Sequence, residues 1–178
     1  GSENDPTPSE PIYKDFENVF FDSKTLIYDG ESHILDEVRG VPEGTQITYT
    51  GRETHIDAGI YTATAILTKE GYNNKTLTAT LTINKASFEN ITFSDGTFEY
   101  DGQAHSIYVI GAPSFATVTY SNNEQINVGT YKVTATIKAT NYETMTKTAT
   151  LRITGKQITG ITFEDKEFQY DGNSHSLA

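Results

Sequence analysis

The sequence predicts an all-β chain: two tandem antiparallel sandwiches followed by part of a third. Three observations carry this. First, a hexapeptide frame recurs, as Tyr28-Asp29-Gly30-Glu31-Ser32-His33, Tyr100-Asp101-Gly102-Gln103-Ala104-His105 and Tyr170-Asp171-Gly172-Asn173-Ser174-His175. Its copies lie 72 and then 70 residues apart, the length of one small domain. Second, the segments between them alternate apolar and polar residues with period two. Third, no window carries a sustained 3.6-residue apolar stripe, so helices are not expected.

The elements follow in order. Gly1-Ser2 reads as a scar of tag cleavage, and residues 1–13 as a flexible leader rich in proline and acidic residues. Repeat 1 spans 14–85, repeat 2 spans 86–155, and 156–178 is the truncated start of repeat 3. Each copy is expected to open on a related strand: Phe16 to Phe21, Phe88 to Phe93 and Ile158 to Phe163. The Tyr-Asp-Gly frame comes next. Val38-Arg39-Gly40-Val41-Pro42 then matches Val109-Ile110-Gly111-Ala112-Pro113, and Ile47-Thr48-Tyr49 matches Val118-Thr119-Tyr120. Two single-residue length changes, one before each Pro turn and one before each Gly-x-Tyr element, account for the shift in spacing. Both fall where loops are expected.

Tyr61 to Thr68 places Tyr, Ala, Ala and Leu on one face and Thr, Thr, Ile and Thr on the other, as a half-buried strand does. Leu77 to Ile83, Tyr131 to Ile137 and Ala149 to Ile153 repeat the pattern. Threonine suits such outer faces because its β-branch favours extended backbone. Asp57-Ala58-Gly59-Ile60-Tyr61 and Asn127-Val128-Gly129-Thr130-Tyr131 have the spacing of the tyrosine corner of immunoglobulin-type domains, which puts Gly59, Tyr61, Gly129 and Tyr131 at that corner. The cysteine two residues beyond such a Tyr is here Ala63 or Val133, and the chain has neither Cys nor Trp. The predicted fold is therefore an Ig-like sandwich without disulfides, packed by aliphatic, Tyr and Phe side chains.

Tyr-Asp-Gly-x-x-His, Val-Thr-Tyr, Asn-x-Gly-x-Tyr, an Asn-Tyr element and the closing Leu81-Thr82-Ile83-Asn84-Lys85-Ala86, in fixed order, resemble the mostly bacterial Ig-like repeats, also called MBG or YDG-type domains. The resemblance implies a tandem module of large bacterial surface or secreted proteins that act in adhesion. It brings no catalytic residues with it.

Composition narrows the function classes. A formal net charge of -11 over 178 residues opposes binding to nucleic acid or to anionic membranes. No apolar run approaches the roughly 20 residues that span a bilayer. An extracellular module without cysteine leans bacterial.

The Asp-Gly-x-x-His frame has two readings. Asp29 with His33, and Asp101 with His105, could form an acid/base or metal site. Alternatively Asp29-Gly30 and Asp101-Gly102 form a turn, with Tyr28 and Tyr100 before it. The histidine then starts the returning strand, its ring bonded to a backbone carbonyl or a Tyr hydroxyl. Reproduction in every copy favours the turn, because a fold determinant must recur and a catalytic site need not. His55, with Gln125 as its counterpart, reads as a loop residue. Calcium would need clustered oxygens, yet the joints at 84–87 and 154–157 carry Lys. A shared isopeptide cross-link is disfavoured because Lys24, Lys69 and Lys75 become Gly96, Ala139 and Met145. Nine tyrosines hold repeat positions, and only Tyr13 and Tyr108 are off-pattern.

These readings predict a non-enzymatic, cofactor-free spacer or adhesive module outside a bacterial cell. The alternative is a glycan- or host-protein-binding module using loops 43–46, 50–55, 114–116 and 121–125. Two strands alone are not stable in water, so 156–178 is also a candidate for strand exchange or self-association.

Overall fold

A computed structural model of the chain describes residue 4 and residues 6–177; the expected tag scar at residues 1–2 lies outside them. The chain forms two compact units. Among the described residues all regular structure is β.

The first sheet has the order β1-β4-β3-β2, with β1 Lys24–Ile27, β2 Gln46–Thr50, β3 Gly59–Thr68 and β4 Lys75–Asn84. β2 pairs antiparallel with β3, and β3 with β4, so Ala63 faces Ala79 and Tyr61 faces Leu81. β1 lies parallel to β4, with Lys24 opposite Leu81 and Ile27 opposite Asn84. The period-two pattern sorts these strands cleanly. Ala63, Ala65, Leu67, Ala79, Leu81 and Ile83 are buried on the inner face, and Thr48, Thr50, Thr62, Thr76 and Thr78 are exposed on the outer one.

The inner face is covered by Phe16, Val19, Phe21, Leu35 and Val38, which lie outside the named strands. Here the expected opening strand is corrected. Residues 16–21 form an irregular segment that pairs within the covering layer at one bridge, Phe20 to Arg39. The reason lies in Asn18, whose φ of 53° breaks the extended run. Core residues therefore fall three and then two positions apart, not every second one. Asn90 and Gly160 hold the same place in the later copies with φ of 59° and 80°. Asn and Gly are the residues that tolerate this left-handed backbone best.

The second sheet repeats the layout as β6-β10-β9-β8, with β6 Gly96–Glu99, β8 Thr117–Ser121, β9 Gly129–Lys138 and β10 Met145–Thr154. β6 is again parallel to β10. A short ladder of β5 (Thr92–Phe93) with β7 (Val109–Ile110) forms its opposing layer. Val133, Ala135, Ile137, Leu151 and Ile153 are buried on the inner face, with Phe88, Ile91 and Ile107 buried from the covering segments. The two layers are tied by a tyrosine in each copy. Tyr49 Oη accepts the Val38 N–H at 2.8 Å, and Tyr120 Oη accepts the Val109 N–H at 2.9 Å.

Residues 156–177 contain no strand and are exposed throughout, including Ile158, Ile161 and Phe163. The strands expected there are absent, and no residue of the segment pairs with a strand among the described residues.

Candidate functional site

Each copy of the frame closes the same local structure. The Asp29 carboxylate accepts the Glu31 N–H at 2.9 Å and takes the His33 ring Nε2 at 2.8 Å. Asp101 does the same with Gln103 N–H at 2.9 Å and His105 Nε2 at 2.8 Å, and Asp171 with Asn173 N–H at 2.9 Å and His175 Nε2 at 3.0 Å. Gly30 and Gly102, with φ of 79° and 77°, reverse the chain between Asp and His. The aspartate thus spans two residues to a backbone N–H, as Asx turns do, and then four residues to the ring.

The ring's partner differs from the one expected. His33 and His105 bond the Asp of their own turn, not a carbonyl or a Tyr hydroxyl, because the reversal brings residues four apart to hydrogen-bond distance. The His105 ring also stacks on Phe98 at 4.6 Å, and that of His175 on Phe168 at 4.5 Å. The backbone of His33 exchanges both hydrogen bonds with His55, at 2.9 and 2.8 Å, and His105 does so with Gln125. Tyr28 and Tyr100 continue the edge strands into the turn, donating their N–H to Asn84 O at 2.8 Å and Thr154 O at 2.9 Å. The histidine therefore locks the turn to the neighbouring loop. Among the described residues no group of three or more His, Cys, Asp or Glu is placed to hold a metal ion.

Electrostatics follow the geometry. The His33 ring and then the Glu31 N–H hold the Asp29 carboxyl below its ordinary value; for Asp101 the Gln103 N–H comes first and the His105 ring second. A carboxylate with a lowered folded pKa contributes stability that is present above the unfolded value of about 3.9 and is lost as pH falls through the folded one. Urea unfolding midpoints are accordingly expected to fall below about pH 4, and the Asp29→Asn/Asp101→Asn double variant to show a shallower acid limb. Identical limbs would contradict this role.

At the corner positions Tyr61 Oη donates to Asp57 O and Tyr131 Oη to Asn127 O, each at 2.8 Å. Gly59 and Gly129 make room for those rings, since a Cβ there would stand 3.0 and 2.9 Å from the phenol oxygens. In the first copy the His55 ring stacks on Tyr61 at 3.6 Å.

The frame's aspartate and histidine are thus brought together in each copy, as a turn-closing pair. The off-pattern Tyr108 and the loop 121–125, which the sequence marks separately, line one cluster, in which Tyr108 meets Tyr120 edge to face at 5.7 Å and 89°. The sequence shows an unmatched tyrosine and, 14 residues on, a loop at Asn122-Asn123-Glu124 that is one residue shorter than its counterpart, but not that the two meet.

A family model described as MBG domain matches residues 18–87 and again 89–157. No curated protein matches the chain. Among solved structures, a titin fragment of domains I67–I69 is 13% identical over 77% of this chain and 66% of that one, with a TM-score of 0.32. Human protocadherin-24 EC1-2 is 6% identical over 74% and 95%, with a TM-score of 0.29. The tandem Ig repeats of Dlar are 12% identical over 78% and 98%, with a TM-score of 0.26.

Proposed function

Since the chain belongs to the MBG-domain family, with two matched copies in tandem, we propose that it serves as a non-catalytic spacer of a bacterial surface or secreted protein and presents an adhesive region away from the cell. The observation that carries this reading is the use of the Asp–His pair. The arrangement most suggestive of chemistry holds a turn in the same geometry in every copy, so the repetition maintains a scaffold. Repeating such a unit adds reach without adding a new fold.

The first test is location. Antibody against the two-repeat chain is expected to label intact cells of the source organism, and inserted extra copies to move a terminal epitope further from the envelope. Labelling only after lysis would overturn the reading. In the same proposal, exposed Ile158, Ile161 and Phe163 of segment 156–178 pair with a second copy by strand addition. Light scattering is then expected to show dimers that vanish when 156–178 is deleted, and a monomeric full chain would defeat this part.

A further inference from the structure

The second repeat carries a cleft that the first does not leave open. Ser106, Tyr108, Tyr120, Asn122, Asn123 and Glu124 line a cavity of about 310 Å3, at the small end of the range for ligand clefts. One wall is the Tyr108 ring, 64% exposed. Its neighbour Tyr120 is half-buried and meets it edge to face, so the pair offers one open aromatic face.

The loop opposite is held in an unusual conformation. Asn122 and Glu124 have φ of 64° and 58°. Asn tolerates that region, whereas a long side chain such as Glu is seldom found there. Three contacts impose it: Asn123 donates to Ile107 O at 2.8 Å and accepts Ile107 N–H at 3.0 Å, Asn122 Nδ2 donates to Lys132 O at 3.1 Å, and Gln125 Nε2 donates to Asn122 Oδ1 at 3.0 Å. The rung to Ile107 also fixes Tyr108, the next residue, beside the loop. The Glu124 carboxylate is left exposed, in no ion pair among the described residues.

In the first repeat the loop is one residue longer, and Arg52 stands where Asn123 does. Its guanidinium donates to Leu35 O at 2.9 Å and lies 5.0 Å from the centroid of Tyr49. There the ring equivalent to Tyr120 is covered by the chain's own cation. The second copy replaces that cover with an outward aromatic and a ring of amide, hydroxyl and carboxylate groups.

We infer that this cleft of the second repeat binds a single pyranose residue of a glycan, with the C–H face of the sugar on Tyr108 and its hydroxyls bonded to Glu124 and Ser106. A flat aromatic face beside planar acceptors is the combination that recognises a sugar ring, apolar on its faces and polar around its edge. An ammonium ligand is less well matched, because such groups are enclosed by several open ring faces and only one is available here. The inference is independent of the spacer reading, which stands or falls on location.

The test is a 15N-resolved titration of the two-repeat chain with methyl pyranosides of glucose, galactose, mannose and N-acetylglucosamine, and with tetramethylammonium in parallel. At least one glycoside is expected to shift the amides of Ile107, Tyr108 and Ser121–Gln125 saturably at millimolar concentration. Tyr108→Ala should weaken that binding about tenfold or more, Tyr108→Phe should retain it, and Glu124→Gln should weaken it. Because Tyr108 is outward-facing, the variants are expected to melt with the parent, which separates lost binding from lost fold. Shifts with tetramethylammonium alone, no shifts at all, or equal binding by Tyr108→Ala would each overturn the inference.

Discussion

Gly111→Ala is expected to destabilise the second repeat by about 3 kcal/mol or more, combining left-handed strain of about 1–2 kcal/mol with a backbone overlap. Gly111 has a φ of 92°, and a Cβ on it would run into the carbonyl oxygen of Asn90. That oxygen belongs to the main chain, so it cannot swing aside as a side chain would. Gly40 stands in the same relation to Asn18 in the first repeat. For a domain of this size the loss corresponds to a fall in Tm of roughly 12 °C or more. Gly102→Ala is the control: its φ of 77° is similar but a Cβ there meets nothing within 4 Å. It should cost only the backbone strain, about 1–2 kcal/mol. Equal melting of the two variants would show that the approach of Gly111 to Asn90 does not matter.

Leu81→Ala is expected to cost about 2–5 kcal/mol, and Thr78→Ala, three residues away on the same strand, less than about 0.5 kcal/mol. Leu81 is 1% exposed and lies between Lys24 of β1 and Tyr61 of β3, whereas Thr78 is on the open face. A repeat of about 70 residues has roughly 4–10 kcal/mol to lose. The urea midpoint of the first repeat should therefore drop sharply for one and hardly move for the other. Comparable losses would mean that the outer face is covered in solution.

These contrasts also show which parts of the fold could be read in the sequence. β3, β4, β9 and β10 were legible because alternation at period two is a property of the strand itself, as in Leu77 to Ile83. The segments Phe16 to Phe21 and Phe88 to Phe93 read as whole strands because their apolar content is right, whereas the first holds only the bridge at Phe20 and the second only β5 at its end. Their three-plus-two spacing is set by Asn18 and Asn90, whose left-handed backbone places their carbonyls against Gly40 and Gly111 some 20 residues later. The parallel pairing of β1 with β4 was hidden for a related reason: alternation specifies which face is buried and not which neighbour is chosen. At the frame, residue identity indicated a turn, but the bond from ring to carboxylate emerged only from the reversed chain. Tyr108 and loop 121–125 each stand out in the sequence, but that they line one cleft depends on what the shortened loop leaves uncovered.

The parallel edge pair has a mechanical consequence. β1 runs beside β4 in the same direction, with four residue pairs in register from Lys24–Leu81 to Ile27–Asn84, and β6 runs likewise beside β10. The first and last strands of each sheet are therefore neighbours. Tension applied through the two ends of such a repeat slides them past one another, loading their hydrogen bonds together in shear instead of opening them one by one. In a force-extension experiment each repeat is expected to yield at higher force when pulled from its ends than when pulled across the β3–β4 hairpin. A module tethered at one end and gripped at the other would thus be strongest along the direction in which it is loaded.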